Sequence, residues 1–208
     1  GNSAFGTQAL TTNTTGGANV AMGQSSLQNN STGNYNTSIG ANALLNNTTA
    51  SNNTAVGFQA WYNNTTGSSI TAMGYQAGYS NTTGYCNNFF GNQAGYTNST
   101  GYSNTYVGHT TGYTNNGVEN VAVGRDAFKF TTTSNGNTVL GTYAMGGTGA
   151  NANYNTLLGY ASGAANNLTG SGLTGVGYYT LVSNTSGRSE EHTSELQSHH
   201  DLVCRLLL

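Results

Sequence analysis

Large apolar residues recur at a fixed interval along most of the chain, and a glycine follows each of them. Successive glycines are 17 residues apart in the first six intervals and 16 to 18 residues apart in the next four. These glycines are Gly6, Gly23, Gly40, Gly57, Gly74, Gly91, Gly108, Gly124, Gly141, Gly159 and Gly177. A fixed period indicates a repeat architecture in which each unit packs on its neighbours. The pattern therefore predicts an array of eleven repeats.

The residue before each repeat glycine is large and apolar, and we predict that it forms the buried core. The residue two places earlier is mostly Thr or Val, and the residue three places after the glycine is mostly Ala. This alternation favours strands over helices. The predicted core residues are Phe5, Met22, Ile39, Val56, Met73, Phe90, Val107, Val123, Leu140, Leu158 and Val176.

Each repeat contains two short runs of β-type residues, separated by Asn- and Gly-rich turns such as the segment 63–67. A unit of 17 residues suits one coil of a solenoid with two strands per coil. Stacked coils lie about 4.8 Å apart, so eleven coils would make a rod roughly 50 Å long. The predicted fold class is therefore all-β, a parallel β-solenoid over residues 1–187.

An asparagine stands four places before nearly every repeat glycine, for example Asn36, Asn53 and Asn104. Asparagine tolerates the left-handed backbone conformation of turns, and its amide can hydrogen-bond a neighbouring strand in a stack. We expect this position to lie in a turn and to bond the adjacent coil.

Tyrosines are concentrated in the middle of the array. Tyr79, Tyr96 and Tyr113 each follow a glycine that occupies a position held elsewhere by Leu, Trp or Phe, so we expect the tyrosine to replace that bulk. Stacked tyrosines can stabilise neighbouring coils, which is the favoured interpretation. Alternatively, an exposed row of rings beside amides suits neutral glycans. The candidate glycan- or receptor-binding residues are Tyr75, Tyr79, Tyr96, Tyr102 and Tyr113.

The charge content is very low, and it narrows the possible functions. Charged residues make up 5% of the chain, against about 25% in ordinary globular domains. Within residues 1–187 they are Glu119, Arg125, Asp126 and Lys129, which cancel and are expected to form a surface ion-pair cluster. Two cations are too few for nucleic acid, whose binding rests on basic residues. With His109 and Cys86 as the other reactive groups, we expect no enzyme, no metal and no cofactor.

The composition changes at residue 188. Residues 188–208 hold six charged residues, three of the four histidines and no glycine. The segment 188–198, Arg-Ser-Glu-Glu-His-Thr-Ser-Glu-Leu-Gln-Ser, resembles the in-frame translation of a sequencing adapter. We therefore expect a non-native, disordered tail that packs on nothing, and an array truncated at both ends.

Two classes of fibrous protein contain similar repeats. Asn53–Gly57 (Asn-Thr-Ala-Val-Gly) and Asn120–Gly124 (Asn-Val-Ala-Val-Gly) resemble the head repeats of trimeric autotransporter adhesins, and the longer unit 53–67 resembles repeats of phage tail fibres. The resemblance implies a left-handed β-roll and a homotrimer without membrane insertion by this segment. It further implies a phage tail-fibre shaft or receptor-binding region on a virion, or alternatively an adhesin head on a bacterial surface, with a host-surface glycan or receptor as partner.

A third possible function is ice binding, since threonine columns on a flat sheet can order water. The threonines are Thr37, Thr54, Thr71, Thr105, Thr138 and Thr156. They share a strand face with the apolar position, and we predict that this face points inward, which places ice binding last.

Overall fold

A computed structural model describes residues 1–183, residue 186 and the strand at residues 191–193. It confirms an all-β parallel solenoid with one coil per repeat, and no helix occurs in the described residues. The strands of the array are β1 (Ser3–Phe5), β2 (Val20–Met22), β3 (Thr37–Ile39), β4 (Thr54–Val56), β5 (Thr71–Met73), β6 (Asn88–Phe90), β7 (Thr105–Val107), β8 (Val121–Val123), β9 (Thr138–Leu140), β10 (Thr156–Leu158) and β11 (Thr174–Val176). Each strand pairs in parallel with the next, in chain order.

The coil contains one strand of three residues, so the prediction of two strands per coil is wrong. The rest of the coil is turns, because residues two, four and twelve places after the repeat glycine adopt left-handed backbone conformations. Examples are Gln76 (φ 52°), Trp61 (φ 53°) and Cys86 (φ 54°). A left-handed residue changes the chain direction and interrupts an extended run. Because glutamine, tryptophan and cysteine are not typical of this conformation, the sequence pattern did not indicate these turns.

The strands face the opposite way from the prediction. In β5, Ala72 has no exposed surface and Met73 is 43% exposed, and Thr71 is half-buried. The middle residue of the strand therefore points into the coil, while the first and third residues point outward, as alternation along a strand requires. The predicted buried column from Phe5 to Val176 is thus wrong. The threonine column does lie on the same strand face as this apolar column, but that face points outward.

The interior is filled jointly by the middle strand residue and the residue four places after the repeat glycine. Most coils combine a small strand residue with a large partner, as with Ala55 and Trp61, both fully buried. Where the strand residue is large, the partner is glycine. A Cβ added to Gly95 would lie 2.6 Å from Cδ2 of Phe89 in the same coil. The two positions thus share one space between them.

This packing also corrects the role expected for the tyrosines. The space above Gly78 is occupied by Trp61 of the preceding coil, where an added Cβ would lie 2.5 Å from Cζ3 of the indole. The stack of buried rings continues into the following coils, because Trp61 and Phe89 stack with their ring centroids 5.0 Å apart. Phe89 and Tyr106 also stack at 5.0 Å. Tyr79 therefore does not replace the missing core residue, and its ring is only half-buried.

The buried asparagines bond the adjacent coil, as predicted. The backbone N–H of Asn36 donates to Oδ1 of Asn19 at 2.9 Å, and its side-chain amide donates to the carbonyl of Ala50 at 2.9 Å. The left-handed residue is the preceding one, Tyr35 (φ 57°), so the expectation that the asparagine itself lies in the turn conformation is wrong.

A second row of buried asparagines runs seven places after the repeat glycine. The amide of Asn47 donates to Oδ1 of Asn30 at 2.9 Å, and the amide of Asn64 donates to Oδ1 of Asn47 at 2.9 Å. All three side chains are fully buried. This row could not be recognised from the sequence, since it lies within turns that are rich in asparagine throughout.

Beyond β11, a further strand, β12 (Glu191–Thr193), pairs in parallel with β11. Thr174 of β11 is in register with Glu191 of β12. The other residues of the segment 188–208 lie outside the described part of the chain. The expectation of a disordered tail that packs on nothing and the adapter origin therefore both stay predictions.

The buried phenol of Tyr106 predicts a loss of stability at alkaline pH. Its hydroxyl donates to Oδ1 of Asn115 at 3.0 Å, and burial raises its pKa far above the usual value near 10. Above about pH 10 the unfolded chain releases the Tyr106 proton while the folded chain retains it. The free energy of unfolding therefore falls as pH rises, by up to about 1.4 kcal/mol per pH unit for this group.

Urea unfolding at pH 8 and at pH 11 measures this effect. Tyr106→Phe is expected to be less stable at pH 8 by about 1 kcal/mol, through loss of the hydrogen bond, and to lose less stability between the two pH values than wild type. Tyr35→Phe is the control, since it alters a ring that is 67% exposed. An equal fall with pH in Tyr106→Phe and wild type would contradict the prediction.

Candidate binding surfaces

The outward side of the sheet, here called the outer strand face, consists of the first and third residues of β1 to β11. Its third-position residues are all large and apolar, and Met22 (46%), Met73 (43%) and Val176 (41%) are among those left exposed. No charged residue occupies the first or third position of these strands. Exposed apolar patches of this extent are typical of interaction surfaces.

The rows of the outer strand face are regularly spaced, but their side chains differ in size from coil to coil. The register aligns Thr54 with Thr71 and Val56 with Met73, and Met73 with Phe90 in the next pair. The rows therefore repeat at the strand spacing of about 4.8 Å. Because the apolar row changes from valine to methionine to phenylalanine, its height above the sheet changes from coil to coil.

The tyrosine ladder, defined as Tyr62, Tyr79, Tyr96 and Tyr113, runs along one turn of the solenoid. Its rings stack at centroid distances of 5.1, 5.2 and 5.0 Å, and neighbouring planes differ by 10°, 8° and 4°. Burial, together with the electrostatic influence of Tyr113, Tyr79 and Tyr75, raises the pKa of Tyr96. The rings cover one another, so each interior ring offers its edge to solvent.

A row of glutamines, Gln59, Gln76 and Gln93, lies three places before the first three tyrosines of the ladder. The amide of Gln76 donates to Oε1 of Gln59 at 2.8 Å, and the amide of Gln93 donates to Oε1 of Gln76 at 3.0 Å. These side chains hydrogen-bond one another between adjacent coils. The amide row therefore stabilises the stack beside the tyrosine ladder.

The five predicted binding residues belong to three separate stacks. Tyr79, Tyr96 and Tyr113 lie in the tyrosine ladder, whereas Tyr75 stacks with Phe58 at 5.6 Å. Tyr102 stacks with Tyr85 at 4.9 Å, in planes that differ by 3°. A sugar ring stacks on an open aromatic face, and these parallel stacks leave few such faces. The geometry favours the packing interpretation of the tyrosines.

A surface-open aromatic groove, defined by the walls Phe130, Tyr143, Tyr160 and Tyr179, lies in the last coils and has a volume of about 440 Å³. These residues could not be singled out from the repeat, because they stand one, two or six places after a repeat glycine and so do not form a single column. The available signal was the loss of bulk at the position five places after the glycine, where the tyrosine ladder is followed by Lys129, Gly146 and Ala164.

The charged residues form a small surface cluster around one carboxylate. Lys129 Nζ lies 2.7 Å from Asp126 Oδ1, and Arg125 Nε lies 3.7 Å from Asp126 Oδ2. Burial by itself would raise the pKa of Asp126, but hydrogen bonds from Lys129 and Thr110 outweigh burial and lower it. Among the described residues the ion pairs do not include Glu119, which is exposed.

The other reactive side chains stand apart from one another. His109 and Cys86 are both exposed, and Cys86 is a free thiol. Within residues 1–183 and the other described positions, no three His, Cys, Asp or Glu side chains are grouped closely enough to hold a metal ion. The same part of the chain has no helix of the length and hydrophobicity needed to cross a membrane.

Comparison of the chain with protein-family models, with curated proteins and with solved structures gives no match.

Proposed function

We propose that this chain is a segment of a structural or adhesive fibre in which parallel copies assemble side by side through the outer strand face, as a trimer. The observation that carries the proposal is the row of outward-pointing apolar residues at the third position of all eleven array strands, of which seven are exposed and four half-buried. In line with the repeat resemblance, the fibre is a phage tail-fibre shaft or receptor-binding region, or alternatively an adhesin head on a bacterial surface.

A second copy of the chain is the occupant that fits the outer strand face best. Its rows have the same spacing of about 4.8 Å, so two parallel copies in register bring apolar residues together at every coil. Neither copy places a charge on this face, and burying the face therefore leaves no unpaired ion. Obligate homo-oligomer interfaces are apolar in this way.

The small interior of the coil supports assembly. Many inward strand positions are only Ala, such as Ala21, Ala55 and Ala72, so most coils bury just one or two large apolar side chains. Small cores usually need a further source of stability such as oligomerisation. Convergence of three outer strand faces on one axis lets each apolar row contact two neighbouring copies, whereas a pair covers it from one side only.

Light scattering of the full chain tests the proposal. Wild type is expected to have three times the monomer mass, and Val107→Asp/Val123→Asp is expected to be a folded monomer, because two carboxylates per chain would face their copies across the axis. Both valines point outward, so the fold tolerates the change. Thr105→Ser/Val121→Thr is the control on the same two strands. A stable wild-type monomer, or a trimer that persists in the aspartate variant, contradicts the proposal.

Ice binding is a second candidate, because the threonine row points outward. Thr54 and Thr71 are half-buried and in register on parallel strands, and this removes the reason for which the sequence analysis placed ice binding last. Against it stands the uneven apolar row beside the threonines, since an ordered water layer needs a repeating flat surface. Thermal hysteresis of the purified chain above that of buffer would support ice binding over assembly, and its absence would exclude it.

A further inference from the structure

The aromatic groove has the composition of a carbohydrate site. Its walls Phe130, Tyr143, Tyr160 and Tyr179 are 39%, 37%, 42% and 47% exposed. Three of the four walls are tyrosines, which combine an apolar ring with a hydroxyl at the tip. We propose that this groove binds a neutral mono- or disaccharide unit of a surface glycan. The proposal deepens the adhesive function proposed above and rests on it.

The rings of the groove are tilted against one another, whereas those of the tyrosine ladder are nearly parallel. Tyr143 and Tyr160 meet edge to face at 6.1 Å and 78°, and Tyr179 is tilted by 48° to Tyr160. Tyr178 stacks on Tyr160 at 5.5 Å and fixes the orientation of that ring. Tilted rings enclose space between them, so a pyranose ring can lie against an aromatic face without displacing another side chain.

The floor of the groove is open because the position that carries the tyrosine ladder is small here. Five places after the repeat glycine, the ladder coils have tyrosine and these coils have Gly146 and Ala164. Gly147 follows in the same floor. The missing rings leave a volume of about 440 Å³, which lies within the range of small-molecule sites, about 300–1,000 Å³.

The polar rim of the groove comes from Thr148 and Asn166. Asn166 Oδ1 accepts hydrogen bonds from the backbone N–H and the hydroxyl of Thr148, both at 3.1 Å. These bonds orient the Asn166 amide so that its NH₂ group remains to donate to a sugar hydroxyl. Sugars are held in this way, by rings against their apolar faces and by amides at their hydroxyls.

The absence of charged residues from the groove lining favours a neutral ligand. None of its ten lining residues is charged. Two cations lie beside the walls, Lys129 Nζ at 5.1 Å from the ring centre of Phe130 and the Arg125 guanidinium at 5.0 Å from that of Tyr143. Both also pair with Asp126, at 2.7 and 3.7 Å. The walls also lack the large aliphatic side chains that line sites for acyl chains. A neutral sugar fits this lining better than an acidic sugar or a lipid tail.

Titration of the full chain with neutral trisaccharides, followed by saturation-transfer NMR, tests the proposal. The probes are cellotriose, maltotriose, mannotriose, galactotriose and chitotriose, with phosphatidylcholine vesicles as the apolar comparison. We expect at least one trisaccharide to bind with Kd below about 10 mM, and the vesicles not to bind. Binding of the vesicles alone, or of no trisaccharide by folded wild type, overturns the proposal.

Two variants locate the binding. Tyr160→Ala removes a wall, and Ala164→Tyr fills the floor with the residue that this position carries in the ladder coils, so the second variant has a precedent within the same fold. Each is expected to weaken binding at least tenfold. Tyr79→Ala is the matched control, because it removes a ring from the tyrosine ladder, and its binding should equal that of wild type. Loss of binding in Tyr79→Ala alone, or unchanged binding in Ala164→Tyr, overturns the groove assignment.

The two proposals can fail separately. A trimer that binds no trisaccharide overturns the glycan site and leaves the fibre assembly standing. A monomer that binds trisaccharide at the groove overturns the assembly and leaves the site standing.

Discussion

Ala72→Asp is expected to destabilise the solenoid by about 4 kcal/mol or more, among the largest effects of any single substitution in the array. Ala72 is the middle residue of β5 and has no exposed surface, so its replacement buries a carboxylate in an apolar interior without a partner. The carboxyl group must either remain neutral at neutral pH or force the coil open. Thermal unfolding followed by circular dichroism measures the loss.

Met73→Asp is the matched control, one residue along the same strand. Met73 is 43% exposed on the outer strand face, so a carboxylate there keeps its water and should change the stability of a single chain by less than about 1 kcal/mol. Comparison is made on monomers at low concentration, since the same change disfavours assembly. If Met73→Asp is the more damaging variant, the interior lies on the other side of the strand.

Gly91→Ala is expected to cost about 3 kcal/mol or more. Gly91 has a φ of 135°, which residues with a Cβ rarely adopt, and an added Cβ would lie 2.6 Å from the carbonyl carbon of Gly108 in the next coil. Backbone conformation and space both exclude a side chain, and the neighbour in contact is backbone that cannot rotate away. The expected result is a lower unfolding temperature.

Gly17→Ala provides the comparison for this prediction. The nearest atom to a Cβ at Gly17 is Oδ1 of Asn34 at 3.5 Å, an ordinary contact. The substitution should therefore be nearly neutral or slightly stabilising. Equal effects of the two alanine substitutions would show that the close approach of neighbouring coils at Gly91 does not limit stability.

The repeat, the parallel pairing and the inter-coil bonds of Asn36 and its equivalents could be predicted from the sequence, because each depends on period and residue type alone. Which face of each strand points into the coil could not be predicted. Alternation shows that two residues share a face and does not show which face is inside. Choosing the larger residues as core is usually correct, but here the coil is too narrow for large residues at every strand, and Ala72 is inside while Met73 is outside.

The candidate site was predictable only in part. The stacking of Tyr79 on Tyr96 follows from their identical place in successive repeats. The number of strands per coil was missed because residues such as Trp61 adopt left-handed conformations that their type does not suggest. The aromatic groove was missed because Tyr143 and Tyr160 come together across different columns, which only the three-dimensional path of the chain reveals.

The direction of the hydrogen bonds between coils has a mechanical consequence for a fibre. Backbone bonds such as that from Gly91 N–H to the Met73 carbonyl, at 2.8 Å, join consecutive coils and lie roughly along the rod. A pull on the two ends therefore loads the terminal coil first and peels it away, while the rest of the rod remains intact. Each released coil of 17 residues adds roughly 55–60 Å of extended chain in place of about 4.8 Å of rod. A tethered particle would in this way be held by a material that lengthens in steps under load and dissipates a sudden force.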